Sequence, residues 1–168
     1  INPKNKVGYE SSKTSILRLK LFKKYFKTNF VPTRNIVESF RVVKDENEIK
    51  EIRFACRITD EVFKEISKTI RAGISENSLA AEIDYKLRLK GGSGSSFATI
   101  VASGPNSAIP HHQTSSRRLR AGEPVMLDFG VAMPSGYCSD LTRTIFVPGR
   151  KPNPKMIETY KIVLGANE

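Results

Sequence analysis

Apolar residues at helical spacing predict a long helix in the middle of the chain. Its apolar stripe advances in steps of three and four residues, through Ile49, Ile52, Cys56, Thr59, Phe63, Ile66 and Ile70. Asp45 is suited to cap the start of this helix, with Glu48 completing a capping-box-like pair, and Gly73 suits its C-terminal stop. The stripe predicts that Cys56 is a core residue.

Three further segments have helical patterns. Near the N-terminus, "SILRLKLFKKYFK" carries apolar residues at helical spacing, namely Ile16, Leu19, Phe22, Tyr25 and Phe26. A second long helix is predicted from near Ser75 to the glycines at 91 and 92, and its apolar side carries Leu79, Ile83 and Leu87. The stretch "NPKMIETYKIVLGANE", residues 153–168, begins another helix.

The predicted strands lie between the second long helix and the last helix. "SSFATIVASG", residues 95–104, is typical of a buried strand, and "VMLDFGVAMPSGYCSDLTRTI", residues 125–145, has the alternation of a β-hairpin. If Met133, Pro134 and Ser135 form the hairpin loop, residues whose numbers sum to 268 stand opposite each other. Asp128 then directly faces Asp140. The order of helices and strands predicts an α+β domain.

Period-two alternation divides this hairpin into two faces. The predicted core face carries Val125, Leu127, Phe129, Val131, Tyr137, Leu141 and Ile145. The predicted pocket face is mostly polar and carries Met126, Asp128, Gly130, Cys138, Asp140, Thr142 and Thr144. Facing residues on antiparallel strands have Cβ atoms about 4.5 to 5.5 Å apart, and like charges at that distance destabilise a sheet. A facing pair of aspartates therefore needs compensation.

Several kinds of contact can relieve the charge repulsion between Asp128 and Asp140. A shared proton or a cation relieves the repulsion, and two such carboxylates can also bridge a pair of divalent ions. Oxygen ligands suit manganese, magnesium or cobalt at least as well as zinc. The alternative is that one aspartate caps the turn or pairs with Arg143 while the other is exposed. The spacing alone leaves both interpretations open.

Composition narrows the classes of function. The formal net charge is +11, but residues 1–53 carry 13 basic and 6 acidic side chains, so most of the excess lies outside the region of densest motifs. No nucleic-acid partner is therefore expected. Cys56 and Cys138 are too few for a disulfide scaffold or a cysteine-rich zinc site, which favours a reducing cytoplasm. No apolar run approaches the roughly 20 residues that cross a bilayer, so no membrane partner is expected.

Three stretches of the sequence together resemble one family. They are "GGSGSSFATIVASGPNSAIPHH", "AGEPVMLDFG" and "GYCSDLTRTIFVPG". They resemble the pita-bread metallopeptidases, the family of methionine aminopeptidases, prolidases and proline-specific aminopeptidases, and most of all its Xaa-Pro aminopeptidase and prolidase branch. The resemblance implies that residues 41–168 are the first part of a pita-bread catalytic domain, incomplete at its C-terminus. Residues 1–40 then form the tail of a smaller N-terminal domain and a connector.

The resemblance also implies roles for three residues. Asp128 matches the aspartate that contacts one metal ion through both oxygens. Asp140 matches the aspartate that bridges two ions. His111 matches the histidine that binds substrate near the metals, and His112 falls at a variable position that receives no role.

The implied chemistry is metal-assisted removal of the N-terminal residue from peptides with proline in the second position. The implied cofactors are two divalent ions, with manganese or cobalt favoured and zinc also suitable. The partner is a peptide substrate, and a homo-oligomer is compatible with the family. Thr142 and Arg143 are suited to orient the carboxylates, as metal sites commonly require.

One part of the family pattern is missing. Its members complete the metal site with a histidine and two glutamates from later strands, and Glu158 and Glu168 do not match those positions. Because the chain ends soon after Asp140 and two carboxylates are too few ligands for two divalent ions, we expect it to be the front part of such an enzyme and inactive by itself. Its opening on Ile1 indicates that it also begins inside a longer protein. Two alternatives stay open, a metal-free relative such as a creatinase-like hydrolase, and a non-catalytic module whose basic N-terminal region binds nucleic acid or an acidic partner.

Overall fold

The structure is a computed structural model that describes residues 5–167. The chain forms two compact units, which divide between Asp45 and Glu46. The α+β class predicted from the sequence is confirmed, because both units combine helices with strands. In the described part of the chain, no helix has both the length and the apolar character needed to cross a membrane.

The first unit is built around two parallel strands joined by a helix. Strand β1 (Lys6–Glu10) pairs in parallel with β2 (Asn29–Thr33), and the predicted helix α1 (Ile16–Tyr25) connects them. Phe22 of α1 stacks on Phe30 of β2 with ring centroids 6.3 Å apart. A short helix, α2 (Ile36–Val42), follows. The assignment of residues 1–40 to the tail of an N-terminal domain stays a prediction.

The second unit packs two long helices against a small antiparallel sheet. Helix α3 (Glu46–Ile66) and helix α4 (Glu76–Leu89) precede strands β3 (Gly94–Ser95), β4 (Ile100–Ser103), β5 (Pro124–Phe129), β6 (Val131–Ala132) and β7 (Leu141–Phe146), and helix α5 (Pro154–Asn167) follows them. The sheet order is β4-β5-β7, and β3 pairs separately with β6. The predicted strand 95–104 is thus two short strands, β3 and β4, separated by irregular chain.

The core of the second unit lies where α3 and α4 meet the inner face of the sheet. Its fully buried side chains include Val62, Ile66, Leu79, Ile83, Leu87, Val125, Leu127, Phe129 and Val131. The prediction for α4 is confirmed, since Leu79, Ile83 and Leu87 are buried. Ser75 caps this helix by accepting a hydrogen bond from the amide of Ser78.

The apolar face predicted for α3 is wrong over its first half. The buried residues of this helix are Ala55, Ile58, Thr59, Val62 and Ile66. Cys56, predicted to lie in the core, is exposed, and Ile49 is 39% exposed. The sequence carries two neighbouring apolar stripes, and the packed stripe contains small Ala55, which lets the helix approach its neighbours closely. The helix also ends at Ile66, well before Gly73.

Candidate functional site

The hairpin loop lies one residue later in the sequence than predicted. The amide of Met133 donates to the carbonyl of Tyr137 at 2.8 Å, and Gly136 has a φ of 86°. The loop is therefore Pro134–Ser135–Gly136, because only glycine readily adopts the left-handed conformation that closes such a three-residue loop. Facing residues on β5 and β7 consequently have numbers that sum to 270 rather than 268.

This register corrects the predicted pairing of the two aspartates. Asp128 stands opposite Thr142, not opposite Asp140. A shift of the loop by one residue changes the facing partner by two positions, so each side chain keeps its predicted face. The predicted core face is confirmed by the burial of Val125, Leu127 and Leu141.

Asp128 and Asp140 lie diagonally on the pocket face. Leu141, between Asp140 and Thr142, points into the core, so alternation directs both of its neighbours to the other side of the sheet. Asp128 is half-buried and Asp140 is exposed. The hydroxyl of Thr142 donates to Asp128 Oδ1 at 2.8 Å. Thr142 thus orients the Asp128 carboxylate, as the sequence predicted.

The chain next to Asp140 is held by an unusually close backbone approach. A Cβ added to Gly130 would lie 1.9 Å from the Ser139 carbonyl oxygen, so only glycine fits there. The same carbonyl accepts a 3.0 Å hydrogen bond from the hydroxyl of Ser96, and the Ser139 hydroxyl accepts from the amide of Val131 at 3.1 Å. These contacts fix the backbone that presents Asp140.

The alternative of a pairing with Arg143 is not what the structure shows. Arg143 Nη1 donates to the carbonyl of Thr142 at 2.8 Å. Within residues 5–167, neither Asp128 nor Asp140 takes part in an ion pair with a basic side chain. The prediction that Arg143 orients a carboxylate therefore finds no support, and both carboxylates keep oxygens available to a cation.

The oxygens of the two carboxylates are suitable ligands for a divalent cation, but two carboxylates are too few ligands to hold one firmly. Carboxylate oxygens are ligands of manganese, magnesium and, with nitrogen, zinc. In the described part of the chain, however, no group of three or more His, Cys, Asp and Glu side chains is arranged to hold a metal ion. By themselves these two carboxylates are too few to make a complete metal site.

The predicted substrate-binding histidine lies in a loop of the second unit. His111 is exposed, in the loop that follows the 3-10 helix Gly104–Ala108. The hydrogen bonds of residues 5–167 link it to neither aspartate. The neighbouring His112, which the sequence left without a role, is half-buried, and its Nε2 lies 3.0 Å from Glu76 Oε2.

Glu76 is a buried carboxylate that the sequence analysis missed. It follows the cap of α4, where an acidic residue ordinarily faces solvent and the helix dipole, yet its exposed fraction is 0%. Burial raises the pKa of Glu76, but hydrogen bonds from Ser115, His112 and Ser103 outweigh burial and lower that pKa to about 2. The carboxylate is therefore ionised at neutral pH. The only sequence feature next to Glu76 is the N-cap Ser75, which indicates the start of the helix but not the burial of Glu76.

An open groove of about 690 Å³ reaches the pocket face near Thr144. It runs between the 3-10 helix and α5, and its lining includes Pro105, Phe146, Met156 and Tyr160. The rings of Phe146 and Tyr160 meet edge to face, with centroids 6.2 Å apart. The groove offers an apolar surface beside the strand that carries Thr142.

The chain is similar to known peptidases. A model of metallopeptidase family M24 matches residues 50–168. The Xaa-Pro dipeptidase of Pyrococcus horikoshii is 37% identical over 162 residues, which are 96% of this chain and 45% of that protein.

Solved structures agree with the sequence match. An Xaa-Pro dipeptidase from Bacillus anthracis superposes with a TM-score of 0.90 at 40% identity, covering 96% of this chain and 45% of that one. An X-Pro aminopeptidase from Thermotoga maritima gives a TM-score of 0.88 at 34% identity, covering 96% and 46%. The predicted resemblance to this branch, and the pita-bread fold it implies, are confirmed. The chain spans less than half the length of these relatives.

Proposed function

Since the chain belongs to metallopeptidase family M24, we propose that the whole protein removes the N-terminal residue from peptides whose second residue is proline. The proposal is supported by the names of its relatives, which are Xaa-Pro dipeptidases and an X-Pro aminopeptidase. The structural observation that carries it is the placement of Asp128 and Asp140 on one sheet face, with Asp128 oriented by Thr142.

In this proposal Asp128 and Asp140 are metal ligands. Asp128 Oδ1 accepts one hydrogen bond from Thr142 and retains a second lone pair, and Oδ2 stays available, so both oxygens can contact one ion. Asp140, exposed at the diagonal position, would be the second carboxylate ligand of the metal site. Two divalent ions, manganese or cobalt in preference to zinc, would supply Lewis-acid polarisation of the scissile carbonyl and an activated water. The other ligands come from the part of the relatives that this chain does not span.

His111 has the second role in the proposal. An imidazole N–H donates a hydrogen bond to the substrate carbonyl and so stabilises the negative charge that develops during hydrolysis. Its exposure leaves the ring free to meet a peptide. The apolar groove beside Thr144 suits side chains of the peptide.

The proposal extends to the setting of the enzyme. Cys56 and Cys138 are both free thiols, which suits a reducing cytoplasmic compartment. We further propose that the printed chain is inactive alone, because two carboxylates do not hold two divalent ions firmly. A homo-oligomer is compatible with the proposal.

The test is an assay of the complete reading frame on Xaa-Pro dipeptides and longer Xaa-Pro peptides, with manganese or cobalt added after removal of metal. We expect hydrolysis that disappears in Asp128→Asn and Asp140→Ala, together with lost metal in elemental analysis. Asp60→Asn is the matched control, since Asp60 is an exposed aspartate on α3, and it should keep full activity. Activity that survives Asp140→Ala would overturn the metal role.

Metal content also distinguishes the proposed metallopeptidase from the main alternative, a metal-free relative. A creatinase-like relative would hydrolyse its substrate with no bound metal, and neither aspartate would then affect metal content. Activity of the wild-type protein after exhaustive chelation would favour that alternative.

A further inference from the structure

The carboxylate of Glu76 is the centre of a buried hydrogen-bond cluster. Oε1 accepts from the amide of Ser103 at 2.8 Å, from its hydroxyl at 2.7 Å and from Asn106 Nδ2 at 3.0 Å. Oε2 lies 3.0 Å from His112 Nε2 and accepts from the amide and hydroxyl of Ser115 at 3.1 and 2.7 Å. We call these five residues the Glu76 cluster.

The cluster has one negative charge at its centre and mostly neutral donors around it. Arg117 joins this network through Ser103, because its Nη1 donates to the Ser103 hydroxyl at 2.6 Å, while its Nη2 pairs with Glu123 at 2.7 Å. Because Glu76 is ionised and accepts hydrogen bonds only, His112 Nε2 must carry a proton. Removing any one of these donors leaves part of the buried negative charge without a hydrogen bond, which destabilises the folded protein.

The Glu76 carboxylate holds both ends of the segment 103–115, which we call the tied segment. Ser103 ends β4, and Ser115 lies beyond the loop, so Glu76 holds two backbone amides twelve positions apart. Thr114 adds a second tie, accepting from the amide of Val101 at 2.9 Å and donating to the carbonyl of Thr99 at 3.0 Å. These side chains satisfy donors on the outer edge of β4, which pairs with no other strand among residues 5–167.

His111 lies inside this tied segment, next to His112. A peptide unit joins the two histidines, so the bond from His112 to Glu76 restricts the backbone that carries His111. We infer that Glu76 and His112 are positioning residues that hold His111 in the place from which it meets the substrate. This inference rests on the proposed function, since it needs His111 to act in hydrolysis.

The inference predicts coupling between neighbouring histidines in the complete enzyme. His112→Leu removes the donor to Glu76 and should lower kcat about 10- to 100-fold, because small misplacements of a catalytic group have effects of that size. His112→Gln keeps an N–H donor of similar reach and should recover most of the loss. In a His111→Ala background, His112→Leu should lower kcat by less than about 2-fold, because the group it positions is already gone.

A milder pair of variants guards against loss of folding. Ser115→Ala removes one hydroxyl donor, at 2.7 Å, from Glu76, and Ser95→Ala removes a hydroxyl donor, at 2.6 Å, from Asp84 on the same helix. Both should lower the unfolding midpoint by similar amounts. Only Ser115→Ala should lower kcat, and amide hydrogen exchange in residues 109–115 should rise in that variant alone.

The outcomes distinguish a failure of the proposed function from a failure of the positioning role of Glu76 and His112. A wild-type enzyme that hydrolyses no Xaa-Pro peptide overturns the proposed function and this inference with it. An active wild type in which the losses from His111→Ala and His112→Leu multiply overturns the inference alone. So does a Ser115→Ala variant that loses stability but keeps its kcat.

Discussion

Asp128 and Thr142 face each other across β5 and β7, and the Thr142 hydroxyl donates to Asp128 Oδ1 at 2.8 Å. The partner of the first candidate metal ligand is therefore a neutral hydroxyl, and the second aspartate lies on the diagonal. This arrangement relaxes the like-charge repulsion that a directly facing pair would suffer.

The first prediction concerns this hydrogen bond. Thr142→Val keeps the β-branched shape but removes the donor that orients Asp128, so we expect metal affinity of the complete protein to fall about 10- to 100-fold. Isothermal titration with manganese into the metal-free protein measures the change. Thr144→Val is the control, because Thr144 lies on the same face but stands opposite Met126. Equal losses in both variants would show that the Thr142 hydrogen bond has no special role.

The second prediction concerns the backbone beside Asp140. In Gly130→Ala the new methyl group would lie 1.9 Å from the Ser139 carbonyl oxygen and 2.4 Å from Ser96 Oγ. The strands must move apart, and we expect the free energy of unfolding to fall by at least about 3 kcal/mol. Urea unfolding measures it. Gly165→Ala in α5 meets open space and should instead be neutral or raise stability by up to about 1 kcal/mol.

The sequence predicts the faces of the hairpin better than its register. Alternation alone assigns Val125 and Leu127 to the core and Asp128 to the pocket face, because side chains on a strand have a period of two. The partner of Asp128 depends on which three residues close the loop. Two alternative three-residue loops, Met133–Ser135 and Pro134–Gly136, fit the sequence. The second ends on Gly136, which can adopt the positive φ that closes the loop. Reading that glycine as a loop residue would have given the correct partner, Thr142.

Two other features depend on tertiary contacts that no local pattern contains. Both apolar stripes of α3 satisfy the helical period, and the choice between Ala55 and Cys56 is made by the packing partners. Glu76 is buried because Ser103 and Ser115, far away in sequence, bring donors to it. The hairpin pattern supplied Asp128 and Asp140 as candidates and the family resemblance supplied His111, but their roles remain predictions.

The third prediction tests which face of α3 is packed. Ile58→Ala removes a side chain that is 4% exposed in the core, and we expect a loss of about 2 to 4 kcal/mol in the free energy of unfolding. Cys56→Ser alters an exposed side chain and should change stability by less than about 0.5 kcal/mol. The Cys56 thiol should also react with a thiol reagent in the folded protein. If the Cys56 thiol reacted only after unfolding, Cys56 would be buried, as the sequence pattern predicted.

The last prediction concerns acid stability. The pKa of Glu76 is about 2 in the folded chain, against 4.5 for an ordinary glutamate. A pKa lowered by folding contributes stability that is complete above the unfolded value and is lost as the pH falls from about 5 towards 2. The difference corresponds to about 3 kcal/mol. The metal-free protein should therefore lose about this much stability between pH 5 and pH 2 through Glu76.

Urea unfolding of the wild type and of Glu76→Gln at several pH values measures this loss. The variant is less stable at neutral pH, because its amide meets donors, but its stability should depend less on acid. Glu65→Gln is the comparison, since hydrogen bonds from Lys86 and Lys90 lower the pKa of Glu65 to about 2 at the surface. Solvent screens that cluster, so its removal should flatten the acid dependence much less. Parallel acid profiles for the wild type and Glu76→Gln would contradict an ionised, buried Glu76.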